Sequence, residues 1–204
     1  MLQTIETQIL KKIGKARGGT LFFVESFVNI ANAKAAGKAL ERLVKKGELK
    51  RLTTGIYYRP EKDPVIGFLT PGIEFVAKAI AKRDKARIVP TGTYALNRLG
   101  LSTQVPLNIV YLTDGAGRKI KIGNRTINFK KSTPRNLAAI GEISKLAIQA
   151  LKTIGQDEVT QEQIEKIQLH LKKEKRTHLE HDIRLAPEWI RKIMLPVLKE
   201  EQNG

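Results

Sequence analysis

An α+β protein is predicted: an N-terminal winged helix-turn-helix over residues 1–60, a linker over 61–70, and a small α+β domain with a helical C-terminal tail over 71–204. Three observations predict it. An amphipathic helix opening near Asn32 is followed at once by a short basic hairpin, the order found when a recognition helix carries a wing. Two alternating apolar runs flank Gly123-Asn124, which is the signature of a tight hairpin. From Asn136 onward the apolar residues recur at helical spacing.

The first helix is read over residues 3–16, where Ile5, Ile9 and Ile13 line one face, and Gly18-Gly19 ends it. Thr20 to Val24 is a short strand, Glu25 to Val28 a brief helix, and residues 29–32 a turn. In the next helix Ala36, Leu40, Leu43 and Val44 form the apolar stripe, while Lys34, Lys38, Arg42 and Lys45 share another face. After Gly47 come the strands Leu49–Thr53 and Ile56–Arg59, too close in sequence for a parallel crossover and therefore a hairpin. Pro60, Pro64, Gly67 and Pro71 mark the linker.

In the second domain Ile73, Val76, Ala77 and Ile80 predict a helix opened by Pro71-Gly72. Ile88–Pro90 is a short strand, Tyr94–Leu99 a short helix closed by Gly100, and Leu107–Leu112 an apolar strand. The hairpin 119–130 directs Ile120, Ile122, Ile127 and Phe129 to one side and Lys119, Lys121, Thr126, Asn128 and Lys130 to the other. A helix is expected from residue 136, with Leu137, Ile140, Ile143 and Leu146 on its apolar stripe. A second, with Thr160 and Gln163 as a capping box, runs to about Arg176, and a third begins at Pro187.

The block ALERLVKKGELKRLTTGIYYRP (residues 39–60), and PTGTYALNRLGLSTQVPLNIVYLTDGAGRKIKIGNRTINFKKSTPRN (residues 90–136), resemble the AbiEi-like antitoxins of type IV toxin–antitoxin systems. The resemblance covers most of residues 1–135 and fades beyond them. It implies a winged helix that binds the protein's own promoter DNA at inverted repeats, an arrangement that a homodimer on DNA could serve. It also implies that the operon is autorepressed and that a cognate nucleotidyltransferase-like toxin is counteracted without a stable complex being required. The family pattern has Arg-like and Val-like residues early in the recognition helix, where this chain carries Ala33 and Ala36.

Charge supports a polyanionic partner. The net charge is +17, and it is unevenly spread. Residues 1–59 hold +8 and residues 60–135 hold +9, whereas residues 136–204 are neutral. Lysine can serve solubility alone, but acidic residues do that at least as well; a field of one sign over two thirds of a chain suits a nucleic acid. Cysteine is absent, so thiolate metal sites and cysteine nucleophiles are excluded. No apolar run is long enough to cross a bilayer, and MLQTIETQIL lacks the order of a signal peptide; a cytoplasmic protein without membrane association is expected.

The expected DNA-binding residues are Asn32, Lys34, Ala35, Lys38, Arg42 and Lys45 in the helix, with Lys50, Arg51 and Thr54 in the wing. Asn and Arg are the types that bind adenine and guanine edges in pairs of hydrogen bonds, and lysines hold phosphates. Arg118, Lys119, Lys121, Arg125 and Lys130 form a second basic surface, to be weighed against a merely solvated sheet face. The 113–118 segment lacks the Gly-Lys-Ser/Thr ending of a phosphate loop and reads as a turn. His178, Glu180, His181 and Asp182 are the one constellation resembling chemistry, but without the order of a metal-binding motif; an exposed helical face is the plainer reading. No enzyme activity, metal or cofactor is expected. The alternative to a DNA-binding antitoxin is a non-catalytic protein that binds a partner protein or structured RNA.

Overall fold

The computed structural model describes residues 4–200. Gln3, where the first helix was expected to begin, and the outer ends of both expected domains lie outside the described residues. The chain divides into two compact units, Met1–Ile80 with Lys121–Gly123, and Ala81–Ile120 with Asn124–Gly204. The fold is α+β with small sheets and a helical C-terminal tail. No helix among the described residues is long and apolar enough to cross a membrane.

In the first unit α1 (Ile5–Gly14) starts at Thr4, whose hydroxyl accepts the Thr7 N–H. Strand β1 (Leu21–Phe23) leads into a 3-10 turn, Val24–Phe27, and then to α2 (Ala33–Lys45). Strands β2 (Lys50–Thr53) and β3 (Ile56–Tyr58) follow, and the sheet order is β1-β3-β2, antiparallel throughout. Ile9, Ile13, Phe22, Phe27, Leu40 and Leu43 close the core between the helices and this sheet. Each such apolar side chain removed from water stabilises the unit by about 1.5–3 kcal/mol before entropy is counted. Ala39 joins the buried stripe of α2, while Val44 is only half-buried.

The expected linker is instead a hairpin, β4 (Glu61–Asp63) with β5 (Gly67–Leu69). Pro64 occupies its turn. The Asp63 carboxylate accepts the N–H groups of Val65 and Ile66 at 2.8 and 3.0 Å, which gives the chain a local alternative to an extended connection. Those two N–H groups hold the exposed Asp63 carboxyl below its ordinary pKa. The first unit therefore continues past residue 60, as far as Ile80. Helix α3 (Ile73–Arg83) buries Ile73, Val76, Ala77 and Ile80.

A four-stranded sheet of order β6-β7-β9-β8, with β6 (Ile88–Thr91), β7 (Asn108–Thr113), β8 (Arg118–Ile122) and β9 (Arg125–Lys131), belongs to the second unit apart from Lys121 and Ile122 of β8. Pro90 is tolerated because β6 is an edge strand. β7 and β9 run parallel, pairing Ile109 with Ile127 and Tyr111 with Phe129. Ile122, Ile127 and Phe129 are buried as the alternation predicts, and Ile120 is half-buried. Helix α4 (Thr93–Arg98) precedes this parallel pair.

The tail differs from expectation in where its helices begin. Residues 134–137 form a 3-10 turn, the chain is non-helical through Gly141, and α5 runs over Glu142–Ile154. Leu137 is buried, yet Ile140 is 48% exposed, so the apolar stripe does not continue upstream of Gly141. Helix α6 (Gln161–Leu171) carries the expected Thr160–Gln163 capping box. It ends before Arg176, where a separate helix α7 (Arg176–Leu185) begins, and α8 (Glu188–Glu200) follows. Ala147, Leu151, Ile167, Leu171, Ile183 and Ile190 knit these helices into one core.

Candidate nucleic-acid interface

Helix α2 buries Ala36, Ala39, Leu40 and Leu43, so the opposite side must face water. Lys34, Lys38 and Lys45 are exposed there, within about 40° of arc at 3.6 residues per turn. Glu41 lies beside them and is also exposed. Arg42 sits on the flank: its guanidinium is 3.8 Å from the Glu6 carboxylate of α1, and Lys46 Nζ reaches the same carboxylate at 2.5 Å. Arg42 is thus separated from the lysine line, with part of its charge already answered. Ala35 is half-buried on that same flank.

Asn32 has a different task from the one its type suggests. Its Oδ1 accepts the Ala35 N–H at 2.9 Å, making it the N-cap of α2. One of the two lone pairs of that oxygen is therefore taken by the helix. Gly37, although inside α2, has nothing within 4 Å of where a Cβ would lie. Its cost is one of backbone entropy alone.

The wing turns at Thr54-Gly55, where Gly55 takes φ +74°, and a register shift falls between Arg51 and Thr53. Arg51 is exposed and donates from Nη2 to Thr54 Oγ1 at 3.3 Å. Lys50 is half-buried, with Nζ 3.6 Å from the centre of the Phe68 ring on β5. Arg59 is structural, since it donates to the carbonyls of Gly14 and Ala16 and pins the end of α1. Burial pushes the Tyr57 hydroxyl above its ordinary pKa; Arg51 opposes that shift and Glu41 adds to it.

On the second basic surface the structure separates lysines from arginines. Lys119, Lys121 and Lys130 are exposed, as alternation along β8 and β9 predicts. Arg118 is withdrawn: it is hydrogen-bonded to Asp84, and its guanidinium lies 5.6 Å from the Phe129 ring. Burial raises the Asp84 pKa, but the hydrogen bonds and charges of Arg83 and Arg118 outweigh it and hold the carboxyl below its ordinary value. Arg125 shares the strand parity of the buried Ile127 and Phe129 and is half-buried, so it is not on the lysine face. The 113–118 loop is a turn held by Asp114, which accepts from the Arg87 N–H and Nε at 2.7 and 2.8 Å.

The histidine segment contains a buried group that its charged sequence hides. Asp182 is fully buried, and its carboxylate accepts the N–H groups of Ile140 and Gly141, each at 2.8 Å, and the Ser144 hydroxyl. Glu174 accepts the Ile143 and Ser144 N–H groups at 2.6 and 3.2 Å. Two carboxylates thus satisfy the first orphan donors of α5, where its dipole favours negative charge. His181 Nδ1 lies 2.8 Å from Asp182 Oδ1, and His178 Nδ1 is 3.7 Å from Glu174. The Ser144 hydroxyl points to the carboxylate and not to the imidazole, so the order serine–histidine–carboxylate needed for nucleophilic catalysis is not formed. No three His, Asp or Glu side chains gather as a metal site among the described residues. Ser144 lies 30 residues from Glu174 and 38 from Asp182 in sequence, so no local spacing marks the three as a unit. The one local hint was Gly141-Glu142 ahead of an apolar helix.

Comparison with known proteins adds a family. The model of a family of unknown function (DUF6088) matches residues 8–179. Among solved structures the chain is similar to the Rv2827c protein of Mycobacterium tuberculosis, at 12% identity and a TM-score of 0.45, covering 96% of this chain and 82% of that one. No curated protein matches.

Proposed function

The chain belongs to the DUF6088 family, and we propose that it is a cytoplasmic DNA-binding antitoxin of the AbiEi-like type, which represses its own operon and counteracts a nucleotidyltransferase-like toxin. The observation that carries the DNA-binding reading is the line Lys34, Lys38 and Lys45 on the side of α2 opposite its core, followed by Arg51 and Thr54 in the wing. A helix in the major groove would place these ammonium groups against the phosphate backbone, setting register without reading bases. Four cations, one phosphate each, correspond to a slope of log K against log salt of about −3.6. The antitoxin half of the reading rests on the sequence resemblance of residues 39–60 and 90–136. No catalytic role is proposed.

Electrophoretic mobility on the protein's own promoter tests the reading. Retardation of the promoter at concentrations that leave a scrambled duplex free is expected; equal affinity for both would refute sequence-specific repression. Co-expression with a nucleotidyltransferase-like toxin, sought in the adjoining reading frame, should restore growth, and failure to do so removes the antitoxin role while leaving DNA binding intact. The β4–β5 hairpin favours a second reading, as a protein-binding module, because Val65 and Ile66 at its turn are 89% and 73% exposed. Co-purification of a partner without promoter retardation would favour that reading.

A further inference from the structure

Strand β9 leaves its sheet through Lys130-Lys131-Ser132-Thr133 into the 3-10 turn Pro134–Leu137. No acidic residue occurs between Asp114 and Glu142, whereas seven lysines and arginines do. Lys152 on α5 reaches this turn. Its Nζ lies 3.5 Å from Asn136 Oδ1, and Asn136 Nδ2 lies 3.1 Å from Ser132 Oγ. A bond of 3.5 Å is at the limit of hydrogen bonding, so an ammonium with three donors keeps donors to spare. Arg135 is exposed in the same turn, near enough for its charge to act on Lys152. Among the described residues neither cation has a carboxylate partner.

We propose that Arg135 and Lys152, with Ser132 and Asn136 beside them, form a binding site for a backbone phosphate of a nucleic acid, separate from the winged helix. Two like charges held close repel, and an anion with several oxygens relieves that repulsion while accepting from both. Phosphate suits the pair, since arginine offers a planar fork and lysine a point charge. Desolvation of its stem, and then the Arg135 charge, already hold the ammonium of Lys152, an exposed residue, below its ordinary pKa. The basic run of β9 that feeds the turn favours a chain of phosphates over a single free ion. The site stands whether or not α2 reads a promoter.

The test uses the full chain and a short mixed-sequence DNA duplex carrying a fluorescent label. Arg135→Gln with Lys152→Gln should weaken binding several-fold at low salt and reduce the steepness of log K against log salt by about 0.9, one phosphate. A charge-matched control, Lys173→Gln with Arg184→Gln, should leave that slope unchanged. An unchanged slope in the first variant, or an equal loss in both, overturns the site. In the unmodified protein, the Lys152 Cε methylene signal in 1H–13C spectra should move on saturation with duplex. A signal that stays put overturns the proposal independently of any variant. Equal movement with inorganic phosphate at the same phosphate concentration makes the site one for free phosphate and overturns the nucleic-acid assignment.

Discussion

Asp182 on α7 accepts the backbone N–H of Gly141 at 2.8 Å across 41 residues of sequence. The same carboxylate holds the Ile140 N–H and the Ser144 hydroxyl, so with Glu174, which takes the Ile143 and Ser144 N–H groups, it fixes where α5 begins. Asp182→Ala leaves three donors without a partner, a loss of about 3 kcal/mol when charge-assisted bonds of about 1.5–3 kcal/mol each are replaced in part by water. Urea unfolding followed by Trp189, the single tryptophan, which packs on the helical core, should show the midpoint fall at unchanged slope. A change below 1 kcal/mol would mean the carboxylate is not what anchors α5.

Gly141 is required for room and not for its backbone angles, which are those of an ordinary extended residue (φ −71°, ψ 140°). A Cβ there would lie inside van der Waals contact of Ser144 Oγ and Glu174 Oε2. Gly141→Ala should cost about 1–3 kcal/mol, the usual penalty of overpacking, in the same urea assay. Gly37→Ala is expected to do the reverse. With open space at its Cβ, it should stabilise the first unit by about 0.8–1 kcal/mol, read from thermal unfolding.

On α2 the residues divide by what already holds them. Lys38→Ala and Lys45→Ala should each flatten the salt dependence of DNA binding by about 0.9, whereas Arg42→Ala, whose guanidinium leans toward Glu6, should have a smaller effect. Glu41→Gln removes a negative charge from the lysine face and should tighten binding. Anisotropy titrations over a range of salt would distinguish these. Arg42→Ala matching Lys38→Ala would return Arg42 to the interface.

Asn32→Ser keeps a capping oxygen, so helix stability and DNA affinity should both be retained. Asn32→Ala should lose about 0.5–2 kcal/mol of stability. If Asn32→Ser abolishes promoter selectivity at normal stability, the amide reads a base after all.

Acid behaviour follows from Asp84 and Asp114. Hydrogen bonds from the Arg87 side chain and backbone lower the Asp114 pKa, and Arg83 with Arg118 lower that of Asp84, each relative to 3.8. A depressed native pKa means that the unfolded chain binds protons first as pH falls. Both carboxylates therefore contribute fully above their unfolded values, and the contribution is lost as pH drops through the lower native ones. Asp84→Asn with Asp114→Asn should lower stability at neutral pH and flatten the acid limb below pH 3.8. A parallel limb in the variant would assign acid unfolding to other groups.

The two helices of the winged fold were legible because one face of each must be dry: Ile9 and Ile13 in α1, and Ala36, Leu40 and Leu43 in α2, recur at the spacing that burial demands, although Ile5, expected on the same stripe, is 38% exposed. Strand alternation around Gly123-Asn124 and the Thr160–Gln163 capping box are equally local, and both appear where the residues place them. The misread elements depend on partners distant in the chain. Prolines mark the 61–70 stretch as irregular, yet pairing of Lys62 with Phe68 and the Asp63 turn make it a hairpin. Arg42, Arg59 and Arg118 look alike in composition, and only the carboxylates and carbonyls brought beside them decide which charges are already answered within the fold. Asp182 is the extreme case, a charged residue in a charged segment that is fully buried. Periodicity reports which face of an element meets apolar matter, a property of neighbours three or four residues apart; the partner of a single charge is set by which atoms folding brings within hydrogen-bond distance. The amphipathic frame was therefore written in the sequence, and the assignment of each charge to structure or to solvent was decided only by the tertiary fold.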